Sequence, residues 1–180
     1  MRGEILLAGT GGQGIQLMGR VLKQALHLKG YDVAYSENYG PEAKGGKSFC
    51  EIVIKEHPLD WPGVMEADLF ATLSQEAYQS LKGSVKEGGV VIYDPVLVKP
   101  EMEEGVYPVP LSKISSEIEG RVNMVLLGVI LPFIDLVSME DIFQVLKEEG
   151  KLSSLNQRSL QKGYEIGESL NNCTTSLRGA

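Results

Sequence analysis

The stretch that decides the fold is Ile5-Leu6-Leu7-Ala8-Gly9-Thr10-Gly11-Gly12-Gln13-Gly14, an apolar run that breaks into four glycines within six residues. Apolar residues then return at helical spacing, which predicts a strand, a tight turn and a helix. Glycine suits such a turn because it adopts backbone angles that other residues avoid and lets another group approach closely. The unpaired N–H groups of the following helix favour a phosphate or a carboxylate at the loop.

Gly9, Gly11 and Gly14 match the dinucleotide-binding fingerprint G-x-G-x-x-G, in the required position between a strand and a helix. Alone, this loop serves equally well as a plain tight turn. Glu37 follows Gly14 by 23 residues, about where such folds place the carboxylate that holds a ribose 2′-OH. The alternative is that Glu37 is simply a polar residue after a strand.

Composition indicates one globular domain. The chain has 180 residues, of which 43% are hydrophobic, and a net charge of −7 that disfavours binding to nucleic acid or to an anionic membrane surface. No apolar run reaches the length of a membrane span and no signal peptide is recognisable, so we expect a cytoplasmic protein. The spacing of Cys50 and Cys173 matches neither a metal site nor a redox motif, which favours two reduced thiols.

Periodicity along the chain predicts strands and helices of an α/β fold, with the character of a buried parallel strand at 90–94. We expect residues 1–170 to form a single domain and residues 171–180 to be a polar tail that frays. The first helix has Gln16 on its polar side, and the last helix is weakened by Gly163 and Gly167. The expected strands after the first one lie at 31–35, 49–55, 68–73, 90–94 and, as an edge strand with two prolines, 106–111.

Residues 36–48 are polar and rich in glycine, which predicts a long loop held by a strand at each end. The strand at 31–35 completes a βαβ-like opening if it runs parallel to the first strand. Long loops inside compact domains are usually functional or disordered, and the alternating strand that follows argues against disorder here.

The glycine loop 9–14 and the segment Tyr39-Gly40-Pro41-Glu42-Ala43-Lys44-Gly45-Gly46-Lys47-Ser48 together resemble the gamma subunit of 2-oxoacid:ferredoxin oxidoreductases. The G-x-G-G-Q-G loop, the Y-G-P-E-x-[RK]-G-G-x-S segment and the total length all match. The resemblance covers essentially the whole chain and is closer to the 2-oxoglutarate-type enzymes than to the pyruvate-type ones.

This resemblance implies a Rossmann-like α/β domain, with an open, mostly parallel sheet flanked by helices, in a subunit that does not work alone. In that family a 2-oxoacid is decarboxylated on thiamine diphosphate with Mg, electrons leave through iron-sulfur clusters to ferredoxin, and the acyl group passes to coenzyme A. The expected partners are the alpha and beta subunits, a delta subunit where the complex has one, and ferredoxin through the complex. We expect no cofactor held by this chain alone, no metal site and no catalytic residue on it, since its cysteines lack cluster spacing.

The resemblance also carries over a set of binding residues, which line the side where coenzyme A or another subunit approaches. These are Gly9, Thr10, Gly11, Gly12, Gln13, Gly14, Tyr39, Gly40, Glu42, Lys44, Gly45, Gly46 and Ser48. At Lys44 the family more often has arginine, and an ammonium group lacks the planar fork of a guanidinium. Gly45 and Gly46 either contact a ligand or let the loop pass a neighbouring subunit closely.

A second hypothesis, based on G-x-G-x-x-G and Glu37, is a free-standing NAD(P)-binding dehydrogenase-like domain. It requires a catalytic acid or base near the nicotinamide, and no residue stands out for that role. It also leaves Gly12 and the second glycine-rich segment without an explanation.

Overall fold

The computed structural model describes residues 3–40, 46–55, 63–101 and 104–178. The chain divides into two compact units, Met1–Pro110 and Leu111–Ala180. Within the described residues, the first unit contains the sheet and the second unit is helical.

The described residues of the first unit form six strands, two α-helices and one 3-10 turn. In chain order its elements are β1 (Gly3–Thr10), α1 (Ile15–Leu28), β2 (Asp32–Tyr39), β3 (Lys47–Lys55), β4 (Ala67–Thr72), α2 (Gln75–Leu81), a short 3-10 turn (Lys82–Ser84), β5 (Val85–Tyr93) and β6 (Val106–Pro108).

The six strands of the described chain form one sheet in the order β2-β3-β1-β4-β5-β6. The pairs β1–β4, β4–β5 and β5–β6 are parallel. Strand β3 is antiparallel to both of its neighbours, β1 and β2, so β2 runs in the same direction as β1. The predicted α/β fold with a mostly parallel sheet is confirmed.

The two helices of this unit cover opposite faces of the sheet. On one face, α2 packs against Leu6 and Ala8 of β1, with Tyr78 at the centre of a buried cluster. On the other face, the thiol of Cys50 lies 3.9 Å from the carbonyl oxygen of Ile15 at the start of α1. The apolar positions predicted for α1 are all buried: Ile15, Met18, Val21, Leu22, Ala25 and Leu26.

Strand β2 differs from its prediction at 31–35. It begins at Asp32 and extends to Tyr39. It runs parallel to β1, as the predicted βαβ-like unit requires, but β3 lies between the two strands in the sheet. The predicted loop at 36–48 is correspondingly shorter. Polar residues are accommodated in β2 because the Glu51 carboxylate on β3 accepts hydrogen bonds from the side chains of Ser36, at 2.7 Å, and Asn38, at 3.2 Å.

The predicted strand at 106–111 is also shorter than expected. Strand β6 is an edge strand that ends at Pro108, as the prolines require, and Leu111 begins a helix instead.

The second unit contains four helices among its described residues: α3 (Leu111–Glu117), α4 (Val122–Ile134), α5 (Met139–Glu148) and α6 (Ser154–Arg178). Helix α4 is apolar on all sides and almost completely buried. Helix α5 begins with a capping box, in which the Asp141 N–H donates to Ser138 Oγ at 3.2 Å and the Ser138 N–H donates to the Asp141 carboxylate at 2.8 Å.

Helix α6 extends beyond residue 170, where the predicted domain ends, and continues to Arg178. Residues 171–178 contain no glycine or proline, and the side-chain amide of Asn171 donates a hydrogen bond of 2.9 Å to the Pro132 carbonyl of α4. The side chain of Asn171 therefore links the start of this extension to α4.

Gly163 and Gly167 have a packing role that helix propensity alone does not predict. A Cβ atom on Gly163 would collide with the Val125 carbonyl oxygen of α4, and one on Gly167 would collide with the Val129 carbonyl oxygen. The two glycines bring the backbones of α4 and α6 together, which offsets their low helix propensity.

We expect Gly163→Ala to destabilise the protein by about 1–2 kcal/mol, because overlap with a fixed backbone carbonyl outweighs the gain in helix propensity. Urea unfolding of the full chain measures the change. Gly83→Ala is the control, since no atom lies within 4 Å of its added Cβ, and its effect should stay below about 0.5 kcal/mol. Equal stability of the two variants would contradict the close helix contact.

Candidate functional site

The glycine loop connects the end of β1 to the start of α1. The Gln13 N–H donates to the Thr10 carbonyl at 3.2 Å, which closes the turn. Gly12 has a φ of +94°, and a Cβ added to it would have no atom within 4 Å, so its backbone faces open space. Gly14 precedes α1 with a φ of 77°, and no side chain caps the helix start. The first turn of α1 thus offers backbone N–H groups toward the loop.

Gln13 stabilises this loop from within. Its Oε1 accepts a hydrogen bond from the Thr10 N–H at 2.7 Å, and its Nε2 donates to the Leu73 carbonyl at 3.3 Å, just beyond β4. The side chain passes so close to Gly9 that a Cβ there would lie 2.5 Å from Oε1. Gln13 therefore ties the loop to the neighbouring strand.

The second predicted segment lies beside the glycine loop. The Gly11 N–H donates to the Gly46 carbonyl at 2.9 Å, and the Gly40 N–H donates to the Lys47 carbonyl at 2.7 Å. In the β1–β3 register, Ser48 stands opposite Gly9. The structure thus brings together Gly9 to Gly14, Tyr39, Gly40, Gly46 and Ser48 at the carboxyl end of β1 and β2. We call this edge of the sheet the glycine edge.

Three of the predicted binding residues, Glu42, Lys44 and Gly45, lie outside the described residues. The structure therefore gives no position for the proposed anion contact at Lys44.

Gln16 links the two segments, although its helical position predicts the polar side of α1. It is buried, and its Nε2 donates to Ser48 Oγ and to the Phe49 carbonyl, both at 3.1 Å. Its Oε1 accepts from the Tyr35 hydroxyl at 3.3 Å. No local signal in the sequence identifies this residue, because its partners lie 19 to 33 residues further along the chain.

Glu37 is engaged by its own chain. Its carboxylate accepts hydrogen bonds from Arg20 at 2.8 Å, from the Tyr35 hydroxyl at 3.0 Å and from the Tyr39 hydroxyl at 2.9 Å. Partial burial opposes the charged form, but these three donors outweigh it and lower the pKa of Glu37. This network accounts for Glu37 without a ribose, which weakens the case for a dinucleotide site.

Cys50 is a structural thiol. It is fully buried behind Tyr35, and burial raises the pKa of Cys50 to about 12. Burial also raises the pKa of the Tyr35 hydroxyl above its ordinary value. Both groups therefore remain protonated at neutral pH, and a thiol in this form is a poor nucleophile and metal ligand.

Neither a metal centre nor a membrane span is found in the described part of the chain. No group of three or more His, Cys, Asp or Glu side chains there is arranged to hold a metal ion. None of the helices in those ranges combines the length and apolarity needed to cross a membrane.

We expect Glu37→Gln to cost about 1 kcal/mol of stability at pH 7, because a charged acceptor is lost from a partly exposed network. Since folding lowers the Glu37 pKa, the stabilisation by its carboxylate is present above the unfolded pKa and disappears as the pH falls through the folded value. The stability gap between wild type and variant should therefore shrink below about pH 4.5. Urea unfolding from pH 3 to pH 7 tests this, and a constant gap would refute it.

Comparisons with known proteins agree with the resemblance of the two segments. Residues 4–166 match the family model described as pyruvate ferredoxin/flavodoxin oxidoreductase. The 2-oxoglutarate synthase subunit KorC of Methanocaldococcus jannaschii is 38% identical, over 94% of this chain and 96% of that protein.

Two solved structures share the fold over nearly the whole chain. The gamma subunit of a keto/oxoacid ferredoxin oxidoreductase from Geobacter sulfurreducens has a TM-score of 0.79 and 27% identity, with 94% of this chain and 98% of that one covered. The 2-oxoglutarate:ferredoxin oxidoreductase of Magnetococcus marinus, with 2-oxoglutarate, coenzyme A and succinyl-CoA bound, has a TM-score of 0.83 and 27% identity. The match covers 93% of this chain but 31% of that longer one.

These findings support the oxidoreductase subunit and not the free-standing dehydrogenase. The chain belongs to the pyruvate ferredoxin/flavodoxin oxidoreductase family, as a gamma subunit of a 2-oxoacid:ferredoxin oxidoreductase.

Proposed function

We propose that this gamma subunit serves an enzyme that oxidatively decarboxylates 2-oxoglutarate to succinyl-CoA and passes the electrons to ferredoxin. The choice of 2-oxoglutarate is supported by the name of the Methanocaldococcus jannaschii relative and by the ligands of the Magnetococcus marinus enzyme. The cytoplasmic location expected from the sequence is part of the same proposal.

The observation that most directly supports a binding role for the glycine edge is the hydrogen bond from the Gly11 N–H to the Gly46 carbonyl. It joins the two segments that resemble the family signatures, and both border the N-terminus of α1. Backbone N–H groups at a helix N-terminus suit an anion such as a phosphate of coenzyme A or a carboxylate of a neighbouring subunit. We assign the glycine edge to one of these two contacts.

The redox cofactors belong to other subunits in this proposal. An iron-sulfur cluster is held by about four thiolates, whereas this chain has two cysteines, and the Cys50 thiol is buried and protonated. Thiamine diphosphate, Mg and the clusters would be held by the alpha and beta subunits and, where present, by a delta subunit. The gamma subunit would complete the surface that receives coenzyme A.

Reconstitution with the other subunits tests the proposal. We expect ferredoxin reduction that requires both 2-oxoglutarate and coenzyme A, is at least about tenfold slower with pyruvate, and is absent from the isolated chain. Turnover by the isolated chain, or tight NAD binding that is lost in Glu37→Ala, would overturn it. Calorimetric titration of the wild-type chain and of Glu37→Ala with NAD, NADP and coenzyme A measures this binding.

We expect Gly12→Ala to lower the activity of the reconstituted complex by about tenfold or more, because a Cβ at the loop blocks the approach of the bound group. Gly30→Ala is a matched control. Gly30, after the end of α1, has a φ of +87° and likewise no atom within 4 Å of an added Cβ. Both variants therefore carry the same backbone strain, of about 1–2 kcal/mol.

The form of the loss distinguishes the two contacts at the glycine edge. A higher KM for coenzyme A with intact assembly assigns the loop to coenzyme A, and dissociation of the complex assigns it to a neighbouring subunit. If Gly12→Ala and Gly30→Ala behave alike, the loop is only a turn and the assigned role is wrong.

A further inference from the structure

Large hydrophobic side chains are exposed at both ends of the sheet. At the glycine edge they are Tyr39, 66% exposed, at the end of β2, and Val96 and Leu97, 72% and 38% exposed, just after β5. At the opposite end they are Leu28, 51% exposed, at the end of α1, and Met65, 67% exposed, before β4. Each end therefore carries an apolar surface of similar exposure, and the two can be compared directly.

Tyr39 is held rigidly although its ring is exposed. Its hydroxyl donates to Glu37 at 2.9 Å, and Glu37 is itself fixed by Arg20 at 2.8 Å and by Tyr35 at 3.0 Å. The polar end of the side chain is therefore satisfied internally, and the apolar ring is left for an external contact. Tyrosine is one of the residue types enriched among the side chains that contribute most to binding at interfaces.

The Val96–Leu97 turn is equally ordered. The buried Asp94 carboxylate accepts from the Val96 N–H at 2.9 Å, and the Asp94 carbonyl accepts from the Leu97 N–H at 3.0 Å. The side chain of Val98 is buried in the core, and the Lys99 N–H donates to Gln75 Oε1 at 2.6 Å. The turn is thus fixed on both sides, so binding to it costs little conformational entropy.

The three side chains flank the glycine loop. Strands β2 and β5 are four places apart in the sheet order, with β1 and its glycine loop at the centre. At about 4.8 Å between neighbouring strands, the axes of β2 and β5 lie about 19 Å apart. This span fits inside an interface of about 800 Å² per partner.

The relatives indicate what covers this surface. In the Magnetococcus marinus enzyme, the region similar to this chain makes up 31% of a longer polypeptide. The KorC relative from Methanocaldococcus jannaschii is instead a separate subunit, and this chain matches 96% of it. An enzyme built in that way has an interface between subunits where the longer polypeptide has a contact within one chain. Permanent interfaces of that kind have apolar centres.

Resting on the function proposed above, we infer that Tyr39, Val96 and Leu97 are the apolar anchors by which the glycine edge docks onto the subunit that corresponds to the rest of that longer polypeptide. Tyr39 inserts its ring on one side of the glycine loop, and the Val96–Leu97 turn contacts the partner on the other side. The glycine loop between them is then sealed from bulk water.

The test measures the affinity of full-length variants for the remaining assembled subunits. Tyr39→Ser and the double variant Val96→Ser, Leu97→Ser should each raise the Kd by about tenfold or more. Tyr39→Phe keeps the ring and loses only the hydroxyl, so this variant should retain most of the wild-type affinity. Leu28→Ser and Met65→Ser are matched controls at the opposite end of the sheet, and they should stay within about twofold of wild type.

Urea unfolding of each variant checks that the fold is retained. Wild-type affinity of both glycine-edge variants in an active complex, or equal losses in the two controls, would overturn the inference and leave the proposed function intact. Self-association of the wild-type chain through these residues, seen by light scattering, would assign the surface to a second copy and also overturn it. Failure of the wild-type chain to assemble or to support 2-oxoglutarate oxidation would instead refute the proposed function, and the inferred partner with it.

Discussion

The antiparallel pairing of β3 with β1 is the constraint on which the glycine edge depends. Because β3 enters the sheet beside β1 in the reverse direction, its first residues lie against the last residues of β1, with Lys47 opposite Thr10 and Ser48 opposite Gly9. Two segments that are distant in sequence are thereby paired, and a backbone hydrogen bond from Gly11 to Gly46 continues the pairing beyond β1. A purely parallel arrangement would place the start of β3 at the far end of the sheet.

Much of the architecture could be predicted because the relevant signals are local. Glycine spacing after an apolar run marks the first strand, turn and helix, Pro108 restricts β6 to an edge, and Ser138 with Asp141 marks the start of α5. The extent of β2 was not predictable in this way. Its polar residues are paired with Glu51 on another strand, and hydrophobic periodicity carries no information about such a partner.

The candidate site shows the same division. The glycines that form the edge could be found from their pattern, whereas the side chains that fix their relative positions could not. Gln16 and Arg20 both read as solvated residues of an amphipathic helix, yet one is buried against β3 and the other binds Glu37. Satisfying these polar groups depends on tertiary pairing, and each of them links α1 to a strand that ends at the glycine edge.

The contact of α4 with α6 has a consequence for reading related sequences. The short distance between these two helices depends on Gly128, Gly163 and Gly167. At each of them the backbone of the other helix occupies the volume that a methyl group would need. Any relative with a larger residue at one of these places must hold its helices further apart or shift one along the other. The residues at these three positions in a new sequence therefore indicate whether its two helices can pack as closely as α4 and α6 do here.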